Sequence, residues 1–485
     1  MGEKSMKALG HASFFGAAFA WLGFNILLCL FCGCSGGPPD AFGKETPRPV
    51  DSPPSDDPGE DSLLRPFATA TGSIQTFTAG GKIDTQNAFF TSLGTNGRRC
   101  DSCHQASDGW TIIPPHVRAR FESSEGLDPL FRKNDGANSP EIDDSTIEAR
   151  RNGYSMLLSK AVIRVGIGIP EDAEFELVDV DDPYHFASSR ELSLFRRPLP
   201  STNLQFLATV MWDGRETFRG QSMDFDLLDQ SNAATRGHAQ AEFDLTPQQR
   251  REIVDFELTL FTAAVEDDDA GRLDEGSAQG GPTFLAGERF YIGINDVLGA
   301  DPTGRPFDSH VFTIFDAWSN LHRGSQHFAR AAVARGENLF NTRTIHIREV
   351  KGLNDDLQVE DLVGTCTTCH DTPNSGNHSV SLPIDIGLAD ESRRTPDFPL
   401  YTLRNRTTGE LIRTSDPGRA LITGRWRDIS KFKGPILRGL SARAPYFHNG
   451  FAADLSEVVN FYDSRFDIHL TESEKSDLVA FLQAL

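Results

Sequence analysis

Two short segments constrain this chain more than any other feature: Cys100-Asp101-Ser102-Cys103-His104 and Cys366-Thr367-Thr368-Cys369-His370. C-x-x-C-H is the attachment sequence for c-type haem. The two intervening residues set both sulfurs along one porphyrin edge, where they form thioethers to the vinyl groups. The next imidazole then becomes an axial ligand of the iron. Two other uses of such pairs exist. Both segments together could assemble one zinc site, and a thioredoxin-type redox pair would need a βαβ setting, which the sequence lacks. The expectation is two covalently bound haem c groups, on Cys100, Cys103 and His104 and on Cys366, Cys369 and His370.

The remaining cysteines, Cys29, Cys32 and Cys34, close the first apolar run. Lys4 and Lys7 precede that run, which extends from about Ala12 to Phe31 and is followed by small residues. Charge, apolar stretch and small residues in that order are an export signal. Leu30-Phe31-Cys32-Gly33-Cys34-Ser35 resembles a bacterial lipoprotein signal, with residues 1–33 removed and lipid on Cys34. An uncleaved membrane anchor is the alternative. Residues 34–66 are rich in Pro and Gly with interleaved acidic residues, and are expected to form an extended tether. The chain would then be a periplasmic, membrane-anchored lipoprotein. Export suits covalent haem, which is attached outside the cytoplasm.

Charge narrows the partners. The 485 residues carry 47 Lys+Arg against 69 Asp+Glu, a formal net charge of −22, with no basic run. Nucleic acid needs a basic surface and is excluded as a partner. A basic electron-carrying protein suits this field, although net charge also serves solubility alone.

Around the haem segments the pattern is helical. Ala331–Phe340 carries an apolar face ahead of the second segment, and Asn87–Gly94 stands ahead of the first. Near the end, Thr471-Glu472-Ser473-Glu474 reads as a capping box, followed by Leu478, Val479, Leu482 and Leu485 at helical spacing. The fold class expected is mostly α: two cytochrome c-like haem domains in tandem, each with an N-terminal and a C-terminal helix crossing. The expected boundaries are 67–327 and 328–485. The acidic loop 266–281 and the segment 341–363 look like long loop insertions.

Further motifs complete the picture. Pro435–Leu440, Ala444-Pro445-Tyr446-Phe447-His448-Asn449-Gly450 and Leu455–Tyr462 lie in the C-terminal half. Pro200-Ser201-Thr202-Asn203 and Met211-Trp212-Asp213-Gly214-Arg215 lie in the N-terminal half. With the two C-x-x-C-H segments, the chain over roughly 80–485 resembles the bacterial di-haem cytochrome c peroxidases and the related MauG-type enzymes.

The resemblance implies a peroxidatic first haem, a second haem that receives electrons, and a tryptophan between them, here Trp212. It implies that the second haem's sixth ligand falls on Tyr462, where the peroxidases have methionine. Met1, Met6, Met156, Met211 and Met223 all precede the second haem segment. This tilts the resemblance toward the MauG type, since phenolate favours ferric and higher-valent iron. The alternatives are His448 or His469 as the ligand. The family's glutamine and glutamate correspond here to Gln230 and Gln240. Glutamine cannot transfer protons, so His238 becomes the acid–base candidate. Neither His116 nor His185 matches a distal ligand, which implies an open first haem. The family's calcium ion would have Pro198 and Arg443 at its asparagine and threonine positions.

The reading is a hydrogen-peroxide-reducing peroxidase fed by a cytochrome c or cupredoxin. Its rivals are a MauG-like oxidase acting on a protein or organic substrate and a non-catalytic electron carrier.

Overall fold

Helical spacing ahead of the second C-x-x-C-H segment builds a helix over Ser325–Thr342. The capping box is real: Thr471 caps the last helix, Glu472–Ala484, and its hydroxyl and the Glu474 carboxylate exchange hydrogen bonds with each other's backbone. The two helices pack on each other at Gly336, where any Cβ would lie 1.9 Å from the Asp477 carbonyl oxygen. Glycine is therefore what allows the close approach. Around this crossing Phe312, Phe315, Phe340 and Phe481 interlock edge to face with Val333, Leu478 and Leu482. The structure, a computed structural model, describes residues 62–321 and 324–485. The expected signal 1–33, Cys34 and most of the tether lie outside the described residues.

The first half departs from the expected crossing pair. Ahead of Cys100 only a single 3-10 turn forms, Ala88–Phe90, capped by Asn87. It packs through Phe89 and Phe90 against Phe256 of the helix Pro247–Leu258, at ring separations of 4.9 and 5.3 Å. Five residues of the expected tether, 62–66, are described: Leu63 is buried with Phe67 and Phe89, and Gln75 donates to the Leu64 carbonyl.

Strand is more abundant than a mostly-α chain predicts. Among the described residues eleven strands accompany eleven α-helices. Phe67–Thr69, Gly72–Phe77, Phe261–Asp267 and Gly271–Arg272 form one antiparallel sheet in that order. Both presumed insertions are partly β: the acidic loop begins in that sheet, and Ile345–Arg348 pairs with Asp361–Gly364. A three-stranded sheet joins sequence-distant parts, since Phe175–Asp181 pairs with Leu400–Asn405, which pairs with Leu411–Thr414. Beside it Arg196 reaches the carboxylates of Asp213 (2.5 Å) and Asp416 (2.7 Å), all three buried. A cation flanked by two carboxylates is the arrangement a buried arginine requires. No helix among the described residues is long and apolar enough to cross a membrane.

Candidate functional site

Both C-x-x-C-H segments fold alike. In each, the first cysteine opens a 3-10 turn, and its carbonyl accepts the histidine N–H, at 3.1 Å for His104 and 3.2 Å for His370. In each, a hydroxyl three residues on (Ser102 or Thr368) accepts the N–H of the residue before the first cysteine. The turn therefore gathers both sulfurs and one imidazole. His104 Nδ1 lies 3.0 Å from the Trp110 carbonyl and 3.0 Å from Ser201 Oγ. His370 Nδ1 lies 2.6 Å from the Gly376 carbonyl. A backbone carbonyl at Nδ1 fixes that nitrogen as the donor and leaves Nε2 as the free ligand atom. Burial keeps both rings neutral, pushing His104 down to about 4 and lowering His370.

The four cysteines form no disulfide. Burial pushes their thiols up, Cys366 and Cys369 to about 12 and Cys100 and Cys103 likewise upward. A redox-active pair needs the opposite shift. The shared zinc site also fails, because the one metal-competent group among the described residues contains no cysteine.

Cys100, Cys103 and His104 open on a cavity walled also by Trp212, Gln230, His238, Glu257, Lys433, Arg443 and Phe447. Its walls are mainly apolar, as a porphyrin requires. Arg443 is buried there with Nε and Nη2 unpartnered, and burial lowers its guanidinium to about 9. Arg438, equally buried, has Nε and Nη2 unpartnered. Cations left in this state suit the propionates of a haem, so the residues present fit the group that the motifs imply.

The helix Met223–His238 brings Gln230 and His238 into the wall. Gln240 lies beyond its end, exposed and outside the wall, with Asn96 donating to its side chain at 3.4 Å. Gly94 passes so close to the helix end that a Cβ would sit 1.9 Å from the Ala239 carbonyl oxygen. That approach delivers Arg98, which is buried and pairs with Asp135. Asp135 Oδ2 in turn lies 2.5 Å from His238 Nδ1. Asp135 is buried, yet its carboxyl is held below the usual range, because Arg98 and His238 outweigh desolvation. An ionised Asp135 makes His238 Nδ1 the donor and Nε2 the free base.

Trp212 donates through Nε1 to the Arg197 carbonyl at 2.8 Å and meets His448 edge to face at 6.3 Å. His448 stacks on Phe432 at 3.9 Å, and burial pushes it down to about 4. Phe447, in the cavity wall, lies 6.1 Å from the ring of Tyr462. Tyr462 sits on the helix Leu455–Phe466. Its phenol is pushed upward by burial and then by Cys369 and Cys366. The structure thus brings Tyr462 to the second cysteine pair, while His469 is exposed and paired with Asp467. At the expected calcium position, the Arg443 carbonyl accepts the Arg197 guanidinium at 3.1 Å, which also donates to the Ala161 carbonyl at 2.9 Å.

Asp135, Arg98, Glu257 and Ser201 escaped sequence reasoning as site residues. Glu257 is buried in the wall, where desolvation pushes it up to about 7 against a hydrogen bond from Ser201. Only Ser201 carried a signal, as part of Pro200–Asn203.

No protein-family model matches the chain. It is 33% identical over 140 residues to the cytochrome-c peroxidase IdrP1 of Pseudomonas sp. (strain SCT), a match covering 25% of this chain and 36% of that protein. It is 31% identical over 132 residues to the cytochrome-c peroxidase IdrP2 of Denitromonas iodatirespirans, covering 25% and 36%. It is 29% identical over 121 residues to the cytochrome c551 peroxidase of Nitrosomonas europaea, covering 25% and 30%. The chain therefore spans about a third of the length of these curated relatives. Among solved structures it is similar to a MauG-like protein associated with microbial copper homeostasis, at 16% identity and TM-score 0.37, over 92% of this chain and 95% of that one. With its paired C-x-x-C-H segments, the chain is thus similar in sequence, over about a quarter of its length, to bacterial cytochrome c peroxidases.

Proposed function

We propose that the protein is an exported di-haem c-type cytochrome that reduces hydrogen peroxide with electrons from a small redox protein, a cytochrome c or a cupredoxin. The observation that carries this reading is the Arg98–Asp135–His238 chain in the wall of the cavity on which Cys100, Cys103 and His104 open. Cys100, Cys103 and His104 would hold one haem and Cys366, Cys369 and His370 a second, whose irons would supply peroxide binding and electron storage.

Reducing hydrogen peroxide to two waters consumes two electrons and two protons. His238 Nε2 is suited to take a proton from one peroxide oxygen and return it to the other, which makes the departing group water rather than hydroxide. Asp135 orients the ring and stabilises its protonated form, as an acidic partner does for any general-base histidine. Gln230 lines the same wall and is available to hold a peroxide oxygen by hydrogen bonding. Trp212 and Phe447 offer aromatic surface from the cavity toward His448 and Tyr462. The test is steady-state peroxide reduction by the haem-loaded protein with a reduced small cytochrome. Oxidation of two donor molecules per peroxide is expected, and no donor oxidation beyond the uncatalysed rate would overturn the reading.

A MauG-like oxidase is the second reading, favoured by Tyr462 beside Cys366 and Cys369. It predicts that peroxide bleaches or oxidises an added tryptophan- or tyrosine-containing protein without any donor.

A further inference from the structure

Three buried polar atoms outside the cavity lack hydrogen bonds and lie together: Asp296 Oδ1, Asp371 Oδ2 and His378 Nδ1. Their residues are 1%, 0% and 7% exposed, and their ligand atoms all fall within 4.8 Å of one another. The other carboxylate oxygens are satisfied. Asp296 Oδ2 accepts the Ala300 N–H at 2.7 Å, and Asp371 Oδ1 accepts the Ser379 N–H at 2.6 Å. Each carboxylate is thus anchored by one oxygen and presents the other. His378 Nδ1 and Asp371 Oδ2 approach to 2.6 Å without hydrogen-bond geometry.

Two buried carboxylates and one imidazole converge here, and among the described residues no lysine or arginine pairs with either acid. Buried polar atoms left without a partner are costly unless something binds them. We propose that Asp296, Asp371 and His378 form a binding site for a divalent transition-metal ion of the zinc class. Bonds of about 2.0–2.2 Å to oxygen and nitrogen span donors up to about 4.4 Å apart, so an ion would draw atoms lying within 4.8 Å only slightly closer. The imidazole decides the ion, because calcium and magnesium take oxygen donors whereas zinc, iron and nickel accept nitrogen.

The frame is built for the purpose. Asn295 donates to the Asp371 carbonyl at 3.1 Å, and the Gly293 N–H donates to the Ser379 carbonyl at 2.9 Å, so the 293–300 loop is stitched to 371–379 from both sides. That second stretch starts one residue after His370 and contains Gly376, whose carbonyl orients the His370 ring. An ion here would lock the loop that aims the second axial histidine. The site stands on its own geometry and does not depend on peroxide as the substrate.

The test uses untagged, haem-loaded protein from zinc-supplemented culture, with metal analysis before and after chelation and then titration with zinc chloride. One zinc per chain beyond the haem iron is expected, with saturable rebinding at one equivalent and a higher thermal midpoint. Asp296→Asn keeps the volume and lies far from the haem segments in sequence. It should weaken zinc binding by more than about 100-fold while leaving the haem spectrum unchanged. If that variant does not accumulate, His378→Gln replaces it. Failure of the wild-type protein to bind one equivalent, or equal affinity in the variant, would overturn the site. In that case the three groups form a proton-sharing cluster, and Asp296→Asn raises stability without zinc.

Discussion

His238 owes its direction to a carboxylate more than a hundred positions away, and Asp135 owes its ionisation to Arg98. Removing either end therefore has distinct effects. His238→Ala should lower peroxide turnover by about 10²–10⁴-fold, in the usual range for a lost acid–base group. Asp135→Asn keeps the ring in place but frees its tautomer, so it should slow turnover while leaving haem content unchanged; stopped-flow rates with haem quantified per chain distinguish the two. At the second haem, Tyr462→Phe should alter the absorption and magnetic resonance spectra of one haem and not the other. Identical spectra would return the ligand role to His448. The two C-x-x-C-H turns were legible because all their residues are neighbours in sequence. Asp135 and Arg98 were not legible, since a hydrogen-bonded pair formed across a fold leaves no spacing behind. Gln240 matched a family position by counting, yet the end of its helix at His238 puts it in solvent.

Elements show the same division. The helices Ser325–Thr342 and Glu472–Ala484 announce themselves through apolar periodicity and a capping box, both local signals. The pairing of Phe175–Asp181 with Leu400–Asn405 has no local signature, because strand pairing is decided by whatever edge is free. The missing helix before Cys100 reflects packing: Phe89 and Phe90 find the Phe256 helix within a single turn, and nothing further is needed to cover it. Gly336 gives a test at this scale. Gly336→Ala forces a methyl group into the Asp477 backbone, and the helices must separate. A loss of about 1–3 kcal/mol in denaturant unfolding is expected, with the haem spectrum at the first site unaffected.

For the whole molecule, charge and burial set the response to conditions. Glu337 is buried against the Phe315 N–H, and desolvation pushes it up to about 8 from the ordinary 4.5. The folded chain keeps that proton where the unfolded chain has released it. Stability therefore falls as pH rises from about 4.5 to 8 and levels off above, with a limiting slope of roughly 1.4 kcal/mol per pH unit. Glu337→Gln should flatten that part of the profile in urea titrations between pH 5 and 9. The net charge of −22 predicts that a basic donor associates fastest at low ionic strength, and that its second-order rate falls steeply as salt is added. An unchanged rate would point to an uncharged docking face.

The cavity wall has a consequence for the order in which the molecule is made. Cys100, Cys103 and His104 come from the first quarter of the chain, whereas Lys433, Arg443 and Phe447, in the same wall, come from its last eighth. During synthesis the first attachment segment therefore waits with one side of its chamber missing. The covalent step at that segment has an open approach until the final stretch arrives and seals it. A nascent chain halted before Lys433 would still accept its first haem, and a chain already closed without one would have to open before it could be loaded.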